Sequence, residues 1–146
     1  MINKIHVKNQ RLCELRSVFE LLARHVEPSL KRGLVEKLSI KGMSGKEIAS
    51  CLGLSPSLVT RYSRKERGLH DFTHIPVINE KLDKLAEKIT SMGICGEEVY
   101  VEIGKLAIYI LQHKYACEIH YGIDRSINPI ACKICSNLFS AIRDHA

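Results

Sequence analysis

Six cysteines hold the chemistry most readily read from this 146-residue chain, and four of them, Cys95, Cys117, Cys132 and Cys135, fall in its second half. Thiolates ligate soft metals, and a CxxC such as CKIC at Cys132–Cys135 lets one turn of chain chelate one ion or one cluster. Cys117 opens a second short motif, CEIH, which ends on His120. All four cysteines stand at expected element boundaries, where side chains from different segments can converge. Four thiolates from Cys95, Cys117, Cys132 and Cys135 would complete an iron–sulfur cluster of the 4Fe–4S type or a zinc tetrahedron. CEIH and CKIC together give instead a Cys3His zinc site, with His120 as the fourth ligand and Cys95 left over. Ligands scattered among Ile, Leu and Tyr suit a cluster shielded from water. Zinc knuckles favour polar, glycine-containing turns, which these motifs lack, so the cluster is the first expectation and Zn2+ the second. Cys13 and Cys51 sit inside expected helices, far in sequence from other thiols, and read as small buried hydrophobes.

Catalytic constellations are missing. There is no Gly-rich phosphate loop, no HExxH and no pair of carboxylates beside a histidine. Cys117 and His120 form at most a dyad without a third member. No βαβ pattern surrounds the CxxC, as a thioredoxin-like disulfide would require. The expectation is a protein that is not an enzyme and has no small-molecule substrate. A redox or metal-dependent enzyme with an appended DNA-binding domain is the more distant alternative.

A second set of side chains suits a polyanion. The stretch MSGKEIASCLGLSPSLVTRYSRKER, residues 43–67, reads as a helix-turn-helix, whose second helix enters the DNA major groove. Ser44 and Glu47 have capping-box spacing, and Ile48, Ala49 and Leu52 share the inward face. Ala49 is small where the second helix crosses, and Gly53 stands where a left-handed turn is needed. Ser55 can cap the second helix, and Pro56 suits its first position because its missing N–H would be unpaired there anyway. Val59 and Tyr62 face back, leaving Ser57, Thr60, Arg61, Arg64 and Lys65 outward. Ser57, Thr60 and Arg61 are the expected readers of base edges. Lys46, Arg64 and Lys65 are the expected phosphate contacts, with Ser55 at the helix entrance.

The charge distribution agrees with that placement. Residues 1–74 carry fourteen Lys+Arg against seven Asp+Glu, and residues 75–146 carry eight against nine, within a total of +6. The excess lies on the half with the DNA-reading motif, as a phosphate-binding surface requires. RNA is a poorer partner, because the chain has no Trp and only 5% aromatic residues from which to build a stacking platform. No apolar run is long enough to cross a bilayer, and MINKIHVKNQ has no signal-peptide core, so the expected location is the cytoplasm. There, thiols bind metals or stay free.

The elements that must position these groups are all helices. After a polar arm at residues 1–10, apolar spacing predicts a helix from Arg11 to Val26 with a break at Glu27-Pro28. A supporting helix from Pro28 to Ile40 follows, then the helix-turn-helix. LHDFTHIPV, residues 69–77, is a connector whose His70 and His74 would lie near the DNA backbone. Ile78, Leu82, Leu85, Ile89 and Met92 form a heptad seam on a helix from Val77 to Met92, which either packs on its own subunit or pairs with a second copy. The segment Glu97–Tyr115 is apolar nearly all round and should be buried. Tyr121–Pro129 is a loop, and a last helix spans Ala131–Arg143. The expected organisation is all-α. Residues 1–74 form a helix-turn-helix DNA-binding domain, and residues 75–146 a helical dimerisation and iron–sulfur (or zinc) binding domain.

Residues 13–68 resemble archaeal predicted transcriptional regulators with an XRE-type helix-turn-helix. The resemblance is carried by CELR at 13–16, GMSGKEIASCLGLSPSLVTRY at 42–62 and ERG at 66–68. It implies a cytoplasmic DNA-binding regulator with a metal or cluster as its sensor. Relatives often carry tail cysteines, and Cys132–Cys135 fits that habit. Cys13 recurs among them. SRKERG at 63–68 departs from the pattern, since relatives more often have a glycine before the basic pair. The combined expectation is a homodimeric, sequence-specific regulator of double-stranded DNA. The state of its C-terminal cluster would set the spacing of the two recognition helices. The alternative is a DNA-binding regulator with a purely structural zinc.

Overall fold

The structure is a computed structural model that describes residues 17–144. The expected arm, the start of the first helix and Cys13 lie outside the described residues. Those described are helix and turn, without a strand. The elements are α1 (Val18–Leu21), a π-helical turn (Leu22–Val26), α2 (Glu27–Ile40), α3 (Gly45–Leu52), α4 (Pro56–Ser63), α5 (Pro76–Met92), α6 (Glu97–Gln112), α7 (Cys117–Ile123) and α8 (Ile134–Asp144). None is long and apolar enough to cross a membrane.

The expected break at Glu27-Pro28 does not occur. The chain passes from α1 through the π turn straight into α2, and the Glu27 N–H donates to the Leu22 carbonyl five residues back. A wider π turn relieves the clash that a proline ring makes with the carbonyl four residues before it, and no N–H is needed from Pro28. Pro28 then stands in the first turn of α2, where it costs little.

α2 is the centre of the molecule. It packs against α3, α4, α5 and α6, and Leu30, Leu34, Val35 and Leu38 on it are almost completely buried. Each such side chain contributes about 1.5–3 kcal/mol through its removal from water. The heptad seam of α5 lies against α2: Ile78, Leu82, Leu85 and Ile89 are all buried. Its partner is therefore its own subunit, and only Met92, at the helix end, is exposed. Gly33 sets the spacing, because a Cβ there would stand 3.2 Å from Leu82 Cδ1. Lys37 adds a polar tie, its Nζ donating at 2.7 Å to both Asn79 Oδ1 and Asp83 Oδ1.

α6 buries Val99, Ile103, Leu106, Ala107, Ile110 and Leu111, and α8 covers it with Phe139. Val101 and Ile108 remain exposed, so the helix is buried on part of its circumference and not all round. Buried residues on both sides of residue 75 join one hydrophobic cluster. The connector belongs to it as well, through Phe72 and Ile75. Two elements depart from the sequence expectation at the C-terminal end. The chain turns at Lys114 and forms a separate α7 over CEIHYGI, and α8 begins at Ile134 instead of Ala131.

Candidate functional site

The two helices expected at residues 43–67 form with their local signals in place. Ser44 Oγ accepts from the Glu47 N–H at 3.2 Å, while Glu47 Oε2 accepts from the Ser44 N–H at 2.7 Å. These bonds, that of the Ser44 backbone foremost, hold the Glu47 carboxyl below its ordinary range. α3 ends at Gly53, φ +63°, and the Leu54 N–H closes back on the Ala49 carbonyl at 2.9 Å. Ser55 Oγ caps α4 by accepting from the Leu58 N–H at 3.2 Å. Ile48, Ala49, Leu52, Val59 and Tyr62 are buried between the two helices and α2.

The outward set is open to solvent. Lys46, Ser55, Ser57, Thr60, Arg61, Arg64 and Lys65 are all exposed. Two of the hydroxyls are engaged with the helix itself: Ser55 as the cap, and Thr60 Oγ1 as donor to the Pro56 carbonyl at 3.1 Å. Thr60 still presents its methyl group, and its oxygen retains acceptor capacity. Arg61, Arg64 and Lys65 follow along the helix and its exit. Lys65 closes that exit in the left-handed region, φ +58°, with the Glu66 N–H reaching the Arg61 carbonyl at 2.9 Å. The connector histidines separate. His74 is exposed, whereas His70 turns inward, its Nε2 3.2 Å from His25 Nδ1.

The thiols divide into two groups, one at each end of α6. Cys51, in α3, is bonded to Cys95, in the α5–α6 junction, with Cα atoms 4.8 Å apart. Cys117, Cys132 and Cys135 are free, half-buried thiols at the far end. The sixteen residues of α6 are roughly 24 Å long at helical rise and lie between Cys95 and Cys117. Of the expected set of Cys95, Cys117, Cys132 and Cys135, Cys95 is therefore bonded to Cys51 and stands about a helix length from the other three. Cys51 is buried as expected, but it is cross-linked. Sequence spacing gave no sign of this pair, whose members are 44 residues apart.

The remaining three thiols share one neighbourhood. Cys117 begins α7, Cys132 lies in the approach to α8, and Cys135 is in the first turn of α8. Asn128 shapes that approach, its Oδ1 accepting from the N–H groups of Ile130 and Ala131. Burial pushes the Cys117 thiol up, with Cys132 adding to the shift. Burial, then Cys117 and Cys132, pushes Cys135 up to about 11. Lys114 opposes both shifts and anchors the loop through its Nζ, 3.4–3.5 Å from the carbonyls of Pro129 and Ile130. His120 is buried on α7. The donor chemistry, three thiols and an imidazole, is that of a site for a thiophilic metal. As the side chains stand, no three His, Cys, Asp or Glu among the described residues are grouped closely enough to hold an ion. Lys114 was not among the residues singled out by spacing; a cation three residues before CEIH was its one sequence signal.

No protein-family model, curated protein or solved structure matches this chain.

Proposed function

We propose that the chain is a sequence-specific DNA-binding transcriptional regulator that works as a homodimer. The observation that carries this reading is the exposed, basic face of α4, mounted on a capped two-helix corner with nothing of the described chain covering it. Arg61, Ser57 and Thr60 read base edges, and Lys46, Arg64 and Lys65 hold phosphates. Two copies present two such helices to a two-fold site.

Cys117, Cys132 and Cys135 form the sensor site, for which an iron–sulfur cluster is the first occupant. Such a cluster supplies a centre whose charge and integrity respond to oxidants and iron supply. Lys114 balances the negative charge of the thiolates, and α6 connects this end to the α3–α4 corner. A structural zinc held by Cys117, His120, Cys132 and Cys135 is the second reading. It is favoured by the engagement of Cys95 elsewhere, which leaves a complete Cys3His set.

The test of DNA reading is fluorescence anisotropy with a duplex selected from random DNA by the full chain. Arg61→Ala should cost about 1–3 kcal/mol of specific binding and relax the preference at one base position. Unchanged affinity and unchanged preference reject the assignment of Arg61. An absorption spectrum with metal analysis of anaerobically purified protein separates the two sensor readings. Iron with sulfide selects the cluster, and about one zinc per chain selects the structural site.

A further inference from the structure

We propose that Cys51–Cys95 is a thiol–disulfide exchange site, with a dithiol as its reductant and a peroxide as its oxidant, that controls how firmly the α3–α4 corner is held to α6. The consequence for DNA rests on the binding reading above; the exchange chemistry does not.

Leu52 packs beside Val99 and Ile103, and three further contacts between the corner and the start of α6 lie within a few residues of the bond. Cys51, in the last turn of α3, is bonded to Cys95. The Gly96 N–H donates to the Cys51 carbonyl at 3.1 Å. Tyr100 Oη lies 2.9 Å from where a Cβ on Gly53 would stand, so its ring tip rests on the turn between α3 and α4. The covalent bond is the one strong member of this set. It lies on the path from α6 to the DNA-reading helix.

The two sulfurs differ in access. Cys51 is buried and reaches only the edge of one open cleft, beside Lys46 and Ser50, whereas Cys95 is exposed and lines both that cleft and a second one beside Lys88 and Glu98. A dithiol can therefore reach Cys95. Its thiolate attacks Cys95 Sγ, the Sγ–Sγ bond breaks, and the electron pair leaves on Cys51, which takes up a proton. The second thiol of the reductant then attacks its own sulfur in the mixed disulfide. That step expels Cys95 as a thiolate, which is protonated, and releases the oxidised reductant. Two electrons and two protons pass to the pair. The reduced Cys51 thiol finds an acceptor without moving, because the Ile94 carbonyl lies 3.4 Å from its sulfur.

Oxidation runs from the exposed side as well. The Cys95 thiolate attacks one peroxide oxygen, the O–O bond breaks, and the product is a sulfenic acid and water once the departing hydroxide is protonated. The Cys51 sulfur displaces that hydroxyl as a second water and restores the bond. The thiols at the other end of α6 are too distant to resolve the sulfenic acid in place of Cys51.

In the cross-linked form the outward face of α4 is open, so the bond does not block DNA. It fixes the orientation of the corner relative to α6. Opening it leaves only non-covalent contacts to do so, the Gly96 and Ile94 hydrogen bonds, the Tyr100 ring and the packing of Leu52, and the reduced form binds DNA more weakly.

The experiment uses the full chain, oxidised and then treated with dithiothreitol under conditions that leave its far-UV circular dichroism unchanged. Alkylation with peptide mass mapping should show Cys51 and Cys95 becoming reactive together, and hydrogen peroxide should reverse this. Amide exchange across residues 45–63 should accelerate on reduction. The Kd for a duplex selected with the oxidised protein should rise roughly tenfold, a coupling of ordinary allosteric size. Cys95→Ser, which leaves Cys51 in its buried place, and the double variant Cys51→Ser/Cys95→Ser should both show the reduced value and ignore both reagents. A bond that resists the dithiol in the folded protein is a permanent cross-link and overturns the proposal. So does a bond that opens with no change in exchange rates or in Kd. If no duplex is selected in either redox state, the DNA-binding reading fails instead, and the exchange rates of residues 45–63 alone decide whether the bond controls the corner.

Discussion

Lys65 closes α4 with φ +58°, a conformation that costs an L-residue about 1–2 kcal/mol relative to its ordinary right-handed form. Glycine adopts it without that cost. Lys65→Gly should therefore raise the unfolding free energy by about 0.5–1 kcal/mol in urea titrations, and, on the proposed reading of Lys65 as a phosphate contact, weaken DNA binding. A variant that is both more stable and a tighter binder would contradict the phosphate role. The imidazole pair of His25 and His70 makes a second prediction at this scale. Burial, then Arg24, lowers the His25 pKa; burial, then His25 and Arg32, lowers that of His70. Because both folded values lie below the unfolded ones, the unfolded chain takes up protons first as pH falls through the ordinary histidine range. The stability that the neutral pair contributes is present above that range and is lost on acidification. The urea midpoint should fall between about pH 7.5 and pH 5.5, a window above the carboxylates, and His70→Gln should flatten that fall. An identical slope in the variant would remove the pair from the account.

The corner of α3 and α4 shows what an element needs beyond its own caps. Gly53 combines φ +63° with the tip of Tyr100 lying where a side chain would begin. Gly53→Ala should cost about 1–2 kcal/mol for the backbone, plus whatever displacement of the flexible Tyr100 ring adds. Tyr100→Phe in that background should recover the second part only, as read from urea unfolding. The capping box, the left-handed glycine and the Ser55-Pro56 start all act within four or five residues, and for that reason each was legible in the sequence. The start of α2 was less so. Proline spacing predicts a break, but a π turn carries the chain through, because the packing of Val18, Leu21 and Val26 into the core favours continuity over a new start. The heptad seam of α5 was legible as a seam. Its partner was not, since α2 and a second subunit offer an apolar face the same kind of surface.

At the scale of the whole molecule, the Cys51–Cys95 bond joins α3 to the α5–α6 junction across a sequence separation of 44 residues. Loop entropy assigns such a cross-link about 4 kcal/mol, and natural bonds commonly contribute 2–4 kcal/mol. Reduction should lower the urea-derived stability by that amount, while Cys132→Ser, at the other end of α6, should leave the reduction-dependent difference intact. A reduction-dependent difference that shrinks in Cys132→Ser would mean that the two thiol groups are not independent. What the sequence by itself determined is the local layer: the helical class, the capped corner, the outward face of Ser57, Thr60, Arg61, Arg64 and Lys65, and the inward face of Val59 and Tyr62. These follow from periodicity and from hydrogen bonds a few residues long. What only the tertiary structure decided is which distant residues meet: Cys51 with Cys95, His25 with His70, the seam with α2. It also decided that Cys95 stands a helix length from the other thiols. Each meeting joins residues more than forty positions apart, or depends on the length and direction of an intervening helix, and neither leaves a periodic trace in the chain.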